Sequence, residues 1–193
     1  EDPIEYLHKH KNSVIHQREI GEDVSDFNTG LRSALRQDPD VILIGEMRDL
    51  ETISIALKAA ETGHLVLATL HTNSASSTIH RIVDSFPGEQ QQQIKLQLSS
   101  SLRGIISQQL IERKMSNNRI VNLEILISTP AVQNLIREGK IPQINNAIET
   151  GRKFGMISKD NHLIKLYEND KISLNEVQKR AENLKRVKEK LDM

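Results

Sequence analysis

Asp38-Pro39-Asp40-Val41-Ile42-Leu43-Ile44-Gly45-Glu46-Met47-Arg48-Asp49 is more informative than any other part of this chain. Four large apolar residues in a row, bounded by turn formers, predict a strand buried on both faces of a parallel sheet. A carboxylate follows a glycine at the carboxyl end of that strand. Open α/β sheets bind their ligands at that edge. An acid closing a core strand is more often a surface group, so the segments downstream must separate the two readings.

Asp49 has the chemistry of an N-cap, and Glu51 places an anion in the first turn, where the helix dipole favours it. Ile53, Ile55, Ala56, Leu57, Ala59 and Ala60 supply helix-compatible apolar surface, and Gly63 stands where a C′ glycine belongs. Residues 65–70, Leu-Val-Leu-Ala-Thr-Leu, are the next apolar run. Strand, helix and strand without a hairpin signal make a right-handed parallel crossover, so both strands end on one edge. If they are neighbours, Glu46 and His71 emerge roughly 5 Å apart plus side-chain reach. Asn73 or Ser74 can cap a helix over residues 75–85. His64, at the start of its strand, belongs at the opposite edge and reads as structural. A third acidic element opens the chain: Glu1-Asp2-Pro3-Ile4-Glu5-Tyr6.

The Gly45-Glu46 pair resembles the Walker B element of a P-loop NTPase. With residues 1–6 and His71-Thr72-Asn73-Ser74 in that order, the chain closely resembles the secretion ATPase superfamily that powers type IV pili and type II secretion. The hallmarks of that family are an Asp box, a Walker B strand and a His box, here residues 1–6, 38–49 and 63–75. The likeness extends to about Asp170. It implies a partial RecA-like α/β core over residues 1–128, with a parallel-containing sheet, and a helical carboxyl-terminal region over 129–193. It further implies Glu46 as the catalytic acid, Glu1 as a helper holding the water, and His71 as a γ-phosphate sensor. Arg18 and Arg48 are candidates for charge stabilisation, against an equally weighted reading as surface or inter-subunit ion pairs. ATP would be the nucleotide, with Mg²⁺ held through it near Glu46.

Residues 129–138, Thr-Pro-Ala-Val-Gln-Asn-Leu-Ile-Arg-Glu, resemble the signature of the pilus-retraction branch, the PilT family, departing from it at Val132 and Gln133. The resemblance rests on Ala131, Asn134, Leu135, Ile136, Arg137 and Glu138. As a helix, the segment would gather Ala131, Val132, Leu135 and Ile136 on one apolar face. The chain has no cysteine, so it holds no disulfide and no thiolate metal site. Only residues 112–118 precede the strand expected at 121–127, too few for the four-cysteine insertion of many assembly and secretion members. The implied parent is a homohexameric ring on an inner-membrane pilus platform protein, in the bacterial cytoplasm, powering retraction and twitching motility. The alternatives are a pilus-assembly or type II secretion ATPase, or a partner-binding module that does not hydrolyse.

No G-x-x-x-x-G-K-[ST] loop occurs in the 193 residues. The family carries that loop shortly before the Asp box, so this chain reads as the carboxyl-terminal piece of a longer protein, itself without hydrolysis. With 26 basic and 26 acidic residues the net charge is zero, which gives no sign of a nucleic-acid-binding field. No apolar run reaches the roughly 20 residues that span a bilayer. Aromatics make up only 3%, so the core must rest on Ile, Leu, Val and Ala. The remaining elements expected are a strand or hairpin arm at 14–20 and a helix at 25–36. A long helix at 89–110 with Ile94, Leu98, Leu102, Ile105 and Ile106 inward, and a terminal helix at 173–192, complete the pattern.

Overall fold

The computed structural model describes residues 1–191 of the chain. They form two compact units, one of residues 1–71 and 84–101, the other of residues 72–83 and the chain from 102 onward.

In the first unit, α1 (Phe27–Ala34) starts at Asp26, whose carboxylate accepts the Thr29 N–H at 2.7 Å. β1 (Val41–Ile44) and β2 (Leu65–Ala68) pair in parallel, Ile44 opposite Ala68, through α2 (Leu50–Glu61). Asp49 caps α2, accepting the Thr52 N–H at 2.8 Å, and Gly63 ends the turn after it at φ +108°, a conformation that disfavours any side chain. Ile42 and Ile44 pack with Leu31, Ile55, Ala56 and Ala59 as the unit's core. Each fully buried Ile or Leu contributes roughly 2 kcal/mol. α4 (Gly88–Ser101) packs on α2.

β1 is not buried on both faces. Val41 and Leu43 are each 53% exposed, because among the described residues β1 and β2 alone make this sheet and α1 and α2 cover one side of it. The helix expected to run to Leu110 stops at Ser101. Ser99, Ser100 and Ser101 turn their hydroxyls back onto the carbonyls of Leu96 and Gln97, a competition that weakens a helix end. Residues 14–20 form no strand; Ile20 makes only an isolated bridge to Val24.

The second unit holds all but the last residue of α3 (Ala75–Asp84), capped by Ser74, whose Oγ accepts the Ser77 N–H at 3.1 Å. β3 (Gly104–Glu112) and β4 (Arg119–Ile127) make a nine-residue antiparallel hairpin. Gly104 faces Ile127, and a Cβ there would stand 2.9 Å from the Leu126 carbonyl oxygen. Leu102, Ile105 and Ile106 are therefore not a helical stripe, and Ile106 is exposed. Behind the hairpin come α5 (Pro130–Arg137), a 3₁₀ turn (Ile141–Gln143), α6 (Ile144–Thr150), a second 3₁₀ turn (Arg152–Phe154) and α7 (Lys159–Glu168). The hairpin groups with these helices.

The terminal segment is two helices, α8 (Leu174–Arg180) and α9 (Leu184–Lys190), not one. Asp160 causes the break: its carboxylate accepts the N–H groups of Glu182 and Asn183 at 2.8 and 2.9 Å, and Asn183 then caps α9. Position 192, the end of the expected helix, lies outside the described residues. Leu163, Ile164, Leu166, Ile172, Val177 and Val187 close around Ile111 as this unit's core. No helix among the described residues is long and apolar enough to cross a membrane.

Candidate functional site

The carboxyl ends of β1 and β2 build the site. Pairing continues one step past the strands: the Met47 N–H donates to the Thr69 carbonyl at 3.1 Å, and the Thr69 hydroxyl donates to the Gly45 carbonyl. That extension aims Glu46 and His71 at the same edge. His71 Nε2 lies 3.0 Å from Glu46 Oε1, and the Arg48 Nε–H donates to Oε2. Both carboxylate oxygens are thus engaged from opposite sides.

The Arg48 hydrogen bond holds the Glu46 carboxyl below the usual carboxylate range, reinforced by the charges of Arg48 and His71. The same hydrogen bond, and then the negative charge of Glu46, raise Arg48 in return, with Asp2 adding to the effect. The acid is therefore ionised at neutral pH. Glu46 is 18% exposed at its side chain and His71 86%, so the acid is seated while the imidazole stands free to turn toward a ligand. One seated carboxylate beside a solvent-facing imidazole can orient a water and feel a phosphate. It suits a Mg²⁺ held mainly by phosphates and water rather than by a protein cage. Among the described residues no three His, Cys, Asp or Glu side chains cluster as a metal site by themselves.

Glu1 lies beside this edge: a Cβ on Gly45 would sit 3.5 Å from the Glu1 Cα. The acidic segment is fastened to residues 17–20. Glu1 receives the Ile20 N–H at its carbonyl and the Gln17 amide at Oε1, and its nitrogen donates to the Arg18 carbonyl. Arg18 reaches the segment through its backbone; the groups acting on the charge of Glu46 are Arg48 and His71. His64 ties into the end of α2, its Nδ1 3.0 Å from the Ala59 carbonyl, as befits a structural residue at the far edge.

Asp49 showed itself as a cap in sequence, but Gln17 gave no such signal. Its amide nitrogen also donates to the Tyr6 carbonyl, and its oxygen accepts the His8 N–H at 2.7 Å. Glu124 in the second unit is the other residue sequence reasoning missed. It is 4% exposed, and its Oε1 accepts the N–H of Ala75, the first residue of α3, at 2.6 Å. The alternation of Asn122, Glu124 and Leu126 on the inward face of β4 was the available signal.

In α5, Val132 and Ile136 are fully buried and Leu135 half-buried, but Ala131 is exposed, on the solvent side of the first turn rather than on the apolar face. Asn134, Arg137 and Glu138 are exposed as expected. Asn134 Nδ2 donates to Glu138 at 3.0 Å, and Lys140 Nζ pairs with it at 2.7 Å, holding the Glu138 carboxyl low.

Residues 1–190 match the family described as type II/IV secretion system protein. A twitching motility protein of Neisseria gonorrhoeae is 50% identical over 183 residues, 95% of this chain and 49% of that protein. The type IV pilus retraction ATPase PilT of Pseudomonas aeruginosa is 54% identical over 160 residues, 83% of this chain and 46% of that one. A crystal structure of the pilus retraction motor PilT with bound ADP superposes with a TM-score of 0.88 at 49% identity, covering 96% of this chain and 52% of the motor. The chain thus spans about half the length of the relatives it matches, and it belongs to the type II/IV secretion system protein family, beside its PilT members.

Proposed function

We propose that this chain is the carboxyl-terminal catalytic portion of an ATP-hydrolysing motor that powers type IV pilus retraction. The observation that carries the reading is the meeting of Glu46 and His71 at the shared carboxyl edge of two parallel strands. Glu46, kept ionised, orients and deprotonates the attacking water. His71, on the exposed side of the acid, turns to the γ-phosphate. Glu1 lends a second carboxylate beside Gly45, and Arg48 keeps Glu46 seated until nucleotide competes for the pair. Glu46 lies where a Mg²⁺ carried by ATP would be, and such an ion would supply neutralisation of phosphate charge there. The working assembly is a homohexameric ring on the cytoplasmic side of the bacterial inner membrane, docked on the pilus platform protein. The retraction reading is favoured over assembly or secretion by α5 and by the closed loop of residues 113–118, where the Arg113 N–H bonds the Asn118 carbonyl at 3.1 Å.

In the full-length protein, Glu46→Gln is expected to bind ATP within a few-fold of wild type and to lose about a hundredfold or more in turnover, the scale of a lost general base. The 193-residue chain alone, without a phosphate loop, is expected to show no hydrolysis. An active Glu46→Gln enzyme, or robust turnover by the chain alone, refutes the assignment. Steady-state kinetics and a fluorescent-nucleotide titration measure both.

A further inference from the structure

The neutral net charge conceals a separation. The segments of the second unit carry 18 lysines and arginines against 11 acids, net +7, and those of the first carry 8 against 15, net −7. On the basic unit an open cleft of about 420 Å³ runs between β4, the 3₁₀ turn at Arg152–Phe154 and α7. Its floor is apolar, from Leu123, Met156 and Ile157, and its rim carries Arg152, His162 and Lys165. Among the described residues neither Arg152 nor Lys165 is held in an ion pair.

His162 enters with a defined proton. Its Nδ1 accepts the Leu123 N–H at 2.8 Å, so that nitrogen is a lone-pair acceptor and the neutral ring carries its hydrogen on Nε2. Asn122 Oδ1 stands 3.1 Å from the same Nδ1 and its buried Nδ2 has no partner, so the amide turned over would place Nδ2 as a donor toward the ring. Burial and the nearby Lys165 keep the ring neutral. The cleft therefore offers two full positive charges and one N–H donor above hydrocarbon.

The backbone decides what kind of anion fits. The Ile125 and Ile157 N–H groups bond each other's carbonyls, those of Gly155 and Met156 close the preceding turn, and that of Leu123 goes to His162. A phosphate cradle needs successive free backbone donors, and those of Leu123, Ile125, Gly155, Met156 and Ile157 are spent. A carboxylate with an apolar neighbour satisfies both the rim and the floor. We propose that this cleft docks an acidic, apolar peptide segment of a partner protein, independently of the nucleotide edge.

The test uses the full-length protein and a fluorescein-labelled octapeptide of alternating leucine and glutamate. The control is the same peptide with lysine for glutamate, and inorganic phosphate is the competitor. Saturable binding of the acidic peptide is expected, at least tenfold weaker in Arg152→Glu/Lys165→Glu and restored in Arg152→Lys/Lys165→Arg. Both side chains are exposed, so the fold should survive; circular dichroism checks it. The methyl resonance of Met156, assigned by Met156→Leu, should shift on binding. No binding up to millimolar peptide, equal binding by the charge-reversed variant, or an unmoved Met156 methyl overturns the proposal. Displacement by equimolar phosphate, with the same methyl shift from phosphate alone, would make this a free-anion site and equally overturn it.

Discussion

Replacing Glu124 should separate the value of its hydrogen bond from the cost of its charge. The carboxylate sits where water does not reach, 2.6 Å from the Ala75 N–H, one of the orphan donors at the start of α3. Glu124→Ala leaves that donor unsatisfied, which costs about 1–3 kcal/mol, and opens a small void besides, for a total near 3 kcal/mol. At roughly 2–4 °C per kcal/mol for a protein of this size, the melting temperature falls by about 6–12 °C. Glu124→Gln keeps an acceptor oxygen without the charge and should cost less than about 1 kcal/mol at pH 7. Burial is the main cause that pushes the Glu124 carboxyl above the usual carboxylate range; the hydrogen bond from the Ala75 N–H and the charge of Lys159 offset part of this, while Glu182 and Asp160 add to it. The folded state therefore holds this proton more tightly than the unfolded state. Its stabilising contribution is full below the unfolded pKa and is lost as pH rises through the folded one. Acidification from pH 7 toward 4.5 should then favour wild type over Glu124→Gln. Thermal unfolding of both variants across that range measures it. Equal losses for Ala and Gln, or a Gln penalty that shrinks on acidification, would refute the reasoning.

Removing Arg48 takes away the main cause of the low Glu46 pKa, so Arg48→Ala should move the acid limb of the ATPase pH profile upward; an unmoved limb would mean that Arg48 does not set the basicity of Glu46. Arg137→Ala/Glu138→Ala, both exposed, should leave hydrolysis within a few-fold and abolish twitching; normal motility by plate assay would exclude α5 from mechanical output. Gly104→Ala forces a Cβ to 2.9 Å from a backbone oxygen and should destabilise by about 1–3 kcal/mol in urea unfolding; a neutral result would show that the hairpin end can shift apart.

The β1–α2–β2 crossover and the Glu46–His71 meeting were readable because every determinant was local or topological: an apolar run, a capping aspartate, a glycine at positive φ, and the handedness of parallel connections. What escaped depended on distant partners. Ile105 and Ile106 fit a helical stripe with Ile94 and Leu98, and only nine residues of cross-strand pairing to β4 draw them into a strand. The heptad-like spacing from Leu174 to Leu191 continues through Ala181, yet a carboxylate from another helix, Asp160, breaks it. The four-residue run of β1 said nothing of which face is covered. Gln17 carries no pattern at all, since its role comes from the loop it ties down.

The division of charge bears on the nucleotide edge itself. Glu46, His71 and Arg48 belong to the unit with net −7, an unfavourable field for a nucleoside triphosphate. The positive groups shown at that edge are few: Arg48 is occupied by Glu46, and His71 is a solvent-facing imidazole. A triphosphate held there needs further cationic and backbone donors, which Mg²⁺ and a phosphate loop would supply. That edge therefore offers one seated carboxylate and a solvent-facing imidazole, with its one guanidinium already paired, and little positive charge of its own for a phosphate.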